Sequence, residues 1–160
     1  MLVLLRAIVW ATLSVGFLLV FVPGQILARA GIVRPAEIGV AQIGGVILVL
    51  LGSTLAIWCI LTFVALGKGT PAPFDPPRQL VLRGPYRYVR NPMYIGAGFA
   101  LLGAAIFYGS VAIALYVLAL WAAVHLLVLF YEEPTLHRTF GAPYDEYRRT
   151  VHRWIPIWRS

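Results

Sequence analysis

The sequence predicts an all-α integral membrane protein with four transmembrane helices. The last two form a helical hairpin, and short interfacial helices follow in a C-terminal tail. Three observations predict this. Of 160 residues, 61% are hydrophobic and only 12% charged, against about 45–50% and about 25% in soluble domains, so the chain lacks the polar surface to face water on all sides. Two long runs, Ile38 to Leu66 and Pro92 to Tyr131, carry no charge at all. The basic residues gather between and after those runs rather than inside them. A chain this short makes one domain, spanning 1–160.

The first span is expected at 2–22, a run broken only by Arg6 and small polar residues. Arg6 ahead of it and Ala28-Arg29-Ala30 behind it resemble a cleaved leader, but a run of about 20 residues exceeds the usual core of about 7–15. A retained helix is expected. The second span is expected at 38–66. Gly44, Gly45 and Gly52 there, with Gly96, Ala100 and Ala104 in the third, put small residues at helical spacings, which lets backbones approach closely in lipid. Cys59, the single cysteine, excludes a disulfide within the chain and a cysteine-based metal site.

A bilayer span takes about 20 residues, so Pro92 to Tyr131 divides into two helices. Tyr108-Gly109-Ser110 is the natural turn, giving spans at 92–107 and 111–131. The first arm is short, roughly 24 Å at 1.5 Å per residue. The loop 67–91 holds Pro71, Pro73, Pro76, Pro77 and Pro85, which preclude regular structure. Leu80, Val81, Leu82 and the tyrosines make it too apolar for a simple linker, so an ordered, functional loop is expected. In the tail, 132–160, proline in a first helical turn predicts helices over 134–140 and 143–152. Tyr144, Tyr147, Val151 and Trp154 then share one face, an amphipathic helix suited to the membrane interface.

Charge orients the chain. Lys68, Arg78, Arg83, Arg87 and Arg90 fall between spans two and three; Arg138, Arg148, Arg149, Arg153 and Arg159 fall in the tail. Only Arg29 and Arg34 lie between spans one and two. With four spans, the loop, the tail and the N-terminus share one side, and the positive-inside rule makes it cytoplasmic. The net charge of +7 therefore reads as topology and attraction to anionic lipid headgroups, not as nucleic-acid binding.

Some polar groups ask for more. Asn91 and Pro92 make a good helix start, a cap followed by a first-turn proline. Arg90 beside that positive helix end either snorkels to lipid phosphate or completes an anion site with the free N–H groups. Glu132 and Glu133 follow span four directly, where the helix dipole disfavours acid. Glu133 suits the cap of a helix opened by Pro134; Glu132 is left as a ligand for a cation, an amine or a diol. His125 lies inside span four, one helical face with Glu132, and either hydrogen-bonds a neighbouring helix or acts as a base. His137 and His152 do not complete a metal-ligand spacing with it. The sum is a cytoplasm-facing pocket with an anion end and an acid end, reached by lipid from the side.

These residues resemble a known superfamily. "LVLRGPYRYVRNPMYIG", then "YEEPTLHRTFGAPYDEYRRTVHRWIP" after a helical hairpin, look like the integral membrane methyltransferases, which include isoprenylcysteine carboxyl methyltransferase and the phospholipid N-methyltransferases. The resemblance implies S-adenosyl-L-methionine as cofactor, held between the loop before span three and the segment after span four. Its contacts map onto Gln79, Leu80, Val81, Tyr86, Asn91, Pro92, Met93, Tyr94 and Glu132, with Arg90 and Glu133 as catalytic companions. Gly67 and Gly69 are similar to a glycine pair in the phospholipid branch. Two departures separate the chain from prenylcysteine enzymes: Asn91 stands where they have histidine, and Val128 where they have a substrate-binding arginine. The implied substrate is a lipid or a lipid-linked small acceptor. The resemblance extends to NADPH-dependent sterol reductases, which differ after the proline, and a non-catalytic membrane protein is the remaining alternative. A proton-coupled exporter needs an acid within a span, and none of the four has one.

Overall fold

The computed structural model describes Leu13 and residues 16–35, 37–67 and 79–156. Arg6 and most of the first expected span, Gly69 and the proline-rich part of the loop, and the last four residues lie outside them. Five helices are described. They are α1 (Gly16–Arg29), α2 (Val40–Gly67), α3 (Pro92–Tyr108), α4 (Val111–Phe140) and α5 (Ala142–Thr150). A 3₁₀ turn, Gly84–Arg87, lies between α2 and α3. No strand occurs among the described residues. Helices α2 and α4 are long and apolar enough to cross a membrane; α1 and α3 are shorter apolar helices.

Helices α2 and α3 pack antiparallel, backbone against backbone. A Cβ added to Gly52 would meet Ala100 N and Gly96 O at 2.5 Å, and one added to Gly45 would meet Gly103 O at 2.7 Å. Two glycines seven residues apart on each helix thus face each other as Gly45–Gly103 and Gly52–Gly96. Such small-residue faces allow close van der Waals packing where lipid supplies no hydrophobic drive between helices. The pairing differs in detail from the expected one. Gly44 faces open space, one residue round the helix from the contact, and Gly103 rather than Ala104 makes the approach. The outward faces are apolar: Ile47, Leu50, Leu51 and Leu61 of α2 and Val111, Leu115 and Leu118 of α4 are all exposed.

The hairpin turns where expected, with α3 continuing through Tyr108. Gly109 takes φ 60°, the left-handed conformation that ends a helix, and Ser110 Oγ then accepts the Ile113 N–H at 3.3 Å to start α4. Helix α1 runs past the expected end at Val22 to Arg29; Pro23 follows a π-helical turn, Gly16–Phe21, where the shifted hydrogen-bond ladder needs no donor from it. Tyr116 donates to Leu18 O at 2.9 Å and ties α1 to α4.

The tail departs most from expectation. The predicted separate helix at 134–140 is instead the end of α4, joined through a π-helical turn at Val128–Glu132. That turn absorbs Pro134 as the first absorbs Pro23. At 30 residues α4 measures about 45 Å, well beyond a hydrocarbon core of about 30 Å, so its last turns project from the apolar span. The tyrosine face of α5 is also spent within the protein: Tyr144, Tyr147 and Val151 are buried against Leu80, Leu136 and Phe140.

Candidate functional site

The described part of the loop is bound at several points. Gln79 N donates to Gly67 O at 3.3 Å, bringing the loop back to the end of α2. Val81 and Tyr86 are buried with Cys59, and Met93 packs against them. Tyr147 of α5 donates its hydroxyl to Tyr86 O at 2.6 Å. The loop and the tail therefore fold as one cap over the ends of α2, α3 and α4.

Within this cap the sequence-distant polar residues meet. Arg90 N donates to His152 O at 2.9 Å, and Asn91 Nδ2 donates to Arg153 O at 3.3 Å. The expected role of Asn91 as a side-chain cap is overturned: its amide reaches the tail and makes no cap bond to α3. Pro92 opens α3 and is buried. One turn on, the Tyr94 hydroxyl donates to Glu132 Oε1.

Glu133 is the hub. It is only 6% exposed. Arg153 grips it with two parallel hydrogen bonds, Nε to Oε1 and Nη2 to Oε2, each 2.7 Å. Arg90 Nη1 lies 3.0 Å from Oε1. Its expected capping of a new helix is corrected here: no cap bond forms at this junction, because the helix never breaks and leaves no orphan N–H to cap. Arg153 had gone unassigned. One signal pointed to it: no lysine or arginine lies within a helical turn of Glu133, so a buried acid there requires a cation from elsewhere.

Successive residues of a helix point about 100° apart, and the two glutamates diverge at the end of the π-helical turn. A single extra residue per turn rotates the following side chains and occurs often at functional sites. Glu132 goes to a neutral tyrosine and Glu133 to two guanidinium groups. Tyr144 completes the surround. Burial raises its hydroxyl to about 12, Glu133 adds to the rise, and the neighbouring Arg90 opposes it. Burial raises Tyr147 as well. Both remain neutral donors at physiological pH. The Arg153 guanidinium is held above its usual range, first by its hydrogen bond to Glu133.

His125 is taken. Trp154 Nε1 donates to His125 Nδ1 at 3.1 Å, and the Trp154 ring sits 4.8 Å from that of Trp121. Accepting at Nδ1 uses that lone pair and leaves the proton of neutral imidazole on Nε2. This answers the first of the two alternatives: the imidazole fastens the tail to α4.

Of the residues mapped by resemblance, Arg90, Asn91, Tyr94, Glu132 and Glu133 come together in one polar cluster. Val81, Tyr86 and Met93 form an apolar wall against α2, and Leu80 lies against the α5 tyrosines. Gln79 is exposed at the margin. Among the described residues, no group of three or more histidine, cysteine or acidic side chains is placed to hold a metal.

Neither a curated protein nor a solved structure matches the chain. The sequence model of the phospholipid methyltransferase family does match, over residues 40–143. That stretch runs from the start of α2 into α5 and contains Arg90, Tyr94 and both glutamates; it ends before Arg153 and Trp154. It covers well over half of the 160 residues, and the chain accordingly belongs to the phospholipid methyltransferase family, methyltransferases that act on lipid.

Proposed function

We propose that the chain transfers the methyl group of S-adenosyl-L-methionine to an amine of a membrane phospholipid at the cytoplasmic face. It does so as a four-span protein with both termini on that side. The observation behind this reading is the meeting of Tyr94–Glu132 and Arg90–Glu133 at one end of the α3–α4 hairpin. The basic loop and tail support the orientation, and Asn91 and Val128 favour a phospholipid amine over a prenylcysteine carboxylate.

The donor set fits the cofactor. Its zwitterionic end and ribose diol suit the Tyr94 hydroxyl and the Asn91 amide, which leaves the Glu132 carboxylate to the acceptor; its ring suits the apolar wall of Val81, Tyr86 and Met93. When bound, it supplies a methyl group on a positively charged sulfur, ready for in-line attack. The protein then has to orient and to exclude water, which can supply most of the acceleration. Buried Val81, Pro85, Tyr86 and Val89 form the dry floor.

An ammonium headgroup must lose a proton before its nitrogen can attack. His125 has spent its Nδ1 lone pair on Trp154. Glu133 has both oxygens on Arg153. Glu132, whose hydrogen-bond partner is a neutral hydroxyl, takes the proton. Glu133 positions Arg90, and Arg90 faces the acceptor's negative group.

The test supplies purified protein with methyl-labelled cofactor and a total lipid extract. Label enters a phospholipid fraction, and Glu132→Ala loses it by at least about 100-fold, the lower end of general-base contributions. Full-rate labelling by the variant removes Glu132 from the site. Binding of NADPH without binding of S-adenosyl-L-methionine ends the whole reading.

A further inference from the structure

A second feature adjoins the Glu133 ion pairs. A cleft of about 350 Å³ is lined by Arg90, Asp145, Arg148 and Arg149. Small-molecule sites run from about 300 to 1,000 Å³ and are mostly apolar; this one is small and lined by charged side chains alone. Its ligand is therefore compact and ionic.

The balance of charge sets the sign. Three guanidinium groups face one carboxylate, and that carboxylate is already engaged: Asp145 Oδ1 lies 3.0 Å from His137 Nδ1 and 4.0 Å from Arg148 Nη1. Arg149 pairs with Glu146 across an exposed 4.0 Å contact, the sort of surface pair that contributes little. Arg90 is the decisive group. Its side chain is 11% exposed. Its Nε has no hydrogen-bond partner among the described residues, and its Nη1, though close to Glu133, is not aligned to make one. Buried donors left without an acceptor are costly, more so when charged. Glu133 neutralises the charge at 3.0 Å but does not meet these donors in line.

Geometry narrows the ligand class. Arg148 and Arg149 are successive residues of α5, while Arg90 arrives from the loop on its backbone bond to His152. The forked donors thus converge from two separate elements. A planar carboxylate offers its lone pairs in a single plane, the geometry in which Arg153 meets Glu133. A tetrahedral phosphate ester offers oxygens in several directions, and guanidinium forks match it well.

We infer that this cleft is a phosphate-ester site, and that the headgroup phosphate of the lipid acceptor occupies it while its amine reaches Glu132. The use of the site rests on the methyl transfer proposed above; its binding does not. The test is calorimetric titration of the detergent-solubilised full chain, without any methyl donor. The probes are dioctanoyl phosphatidic acid, sn-glycerol 3-phosphate and phosphate-free dioctanoylglycerol. Phosphatidic acid binds at least tenfold more tightly than dioctanoylglycerol. Arg148→Gln/Arg149→Gln weakens it at least tenfold, while Arg29→Gln/Arg138→Gln, which removes equal charge elsewhere, leaves it unchanged.

Glycerol phosphate binding as tightly as the lipid makes any phosphate ester sufficient; binding of the lipid alone identifies the headgroup in its membrane setting. The inference is overturned by equal binding of dioctanoylglycerol, by an unaffected Arg148/Arg149 variant, or by equal loss in the Arg29/Arg138 variant. Phosphate binding in a protein that transfers no methyl group defeats the functional reading and leaves the site. Methyl transfer without phosphate binding does the reverse.

Discussion

At Glu133 a buried carboxylate has two oxygens and two arginines, and the pairing is unequal. Arg153 makes both aligned hydrogen bonds, whereas Arg90 contributes charge at 3.0 Å without alignment. Removing a partner from a buried ion pair costs about 3–5 kcal/mol, and Arg153, about a quarter exposed, sits below that range. Arg153→Ala should destabilise the protein by about 2 kcal/mol in thermal unfolding. Glu133→Gln should cost less in the Arg153→Ala background than in the parent, because one of the carboxylate's two partners is then already gone and only Arg90 is left to lose it; strict additivity of the two changes would show that they do not interact. The residue types were legible in the sequence, where Arg90, Tyr94 and both glutamates stood out as polar groups at the edge of an apolar run. Their partners were not. Which guanidinium reaches Glu133, and that Asn91 reaches Arg153 rather than its own helix, depend on how the tail returns. No local spacing encodes that return.

Among the elements, the α2–α3 pair shows what periodicity can and cannot fix. The glycines announced a close approach, but a helix with small residues at 44, 45 and 52 has two candidate faces, and only the partner decides between them. The partner's Gly96 and Gly103 select Gly52 and Gly45 and leave Gly44 outward. Opposite effects follow for one substitution type. A Cβ at Gly52 meets backbone atoms of α3 at 2.5 Å, which cannot rotate away, so the helices must part. Overpacking of this kind costs about 2–3 kcal/mol, and Gly52→Ala should lower the apparent melting temperature in detergent by about 5–10 °C. Gly44→Ala meets nothing and should be neutral or gain up to about 1 kcal/mol from the alanine's helix preference. Equal effects at the two positions would mean that α2 turns a different face to α3. The fused end of α4 was illegible for a related reason. Proline after an acid reads as a new helix start, and only the π-helical turn lets one helix pass through it.

For the molecule as a whole, hydropathy gave the helical class and the hairpin, while the cap over the helix ends came from long-range contacts. Those contacts also set a depth scale. From Ser110, which starts α4, to Glu132 is about 33 Å of helix, close to the thickness of the hydrocarbon core. If the turn lies at one interface, the glutamate pair emerges at the other, and Thr139, two turns further on and exposed, stands in water. The native Cys59 is fully buried and should stay silent to a membrane-impermeant maleimide. Tyr108→Cys, at the turn, should therefore label from outside intact cells, and Thr139→Cys only after the inner face is opened. Arg29→Cys, at the end of α1, should label with Tyr108→Cys, since the proposed four-span arrangement puts both on the outer side. Labelling of Thr139→Cys from outside would invert the orientation and separate the site from a cytoplasmic cofactor. Labelling of Arg29→Cys with Thr139→Cys would instead leave α1 short of a span, with the basic end of the protein unchanged.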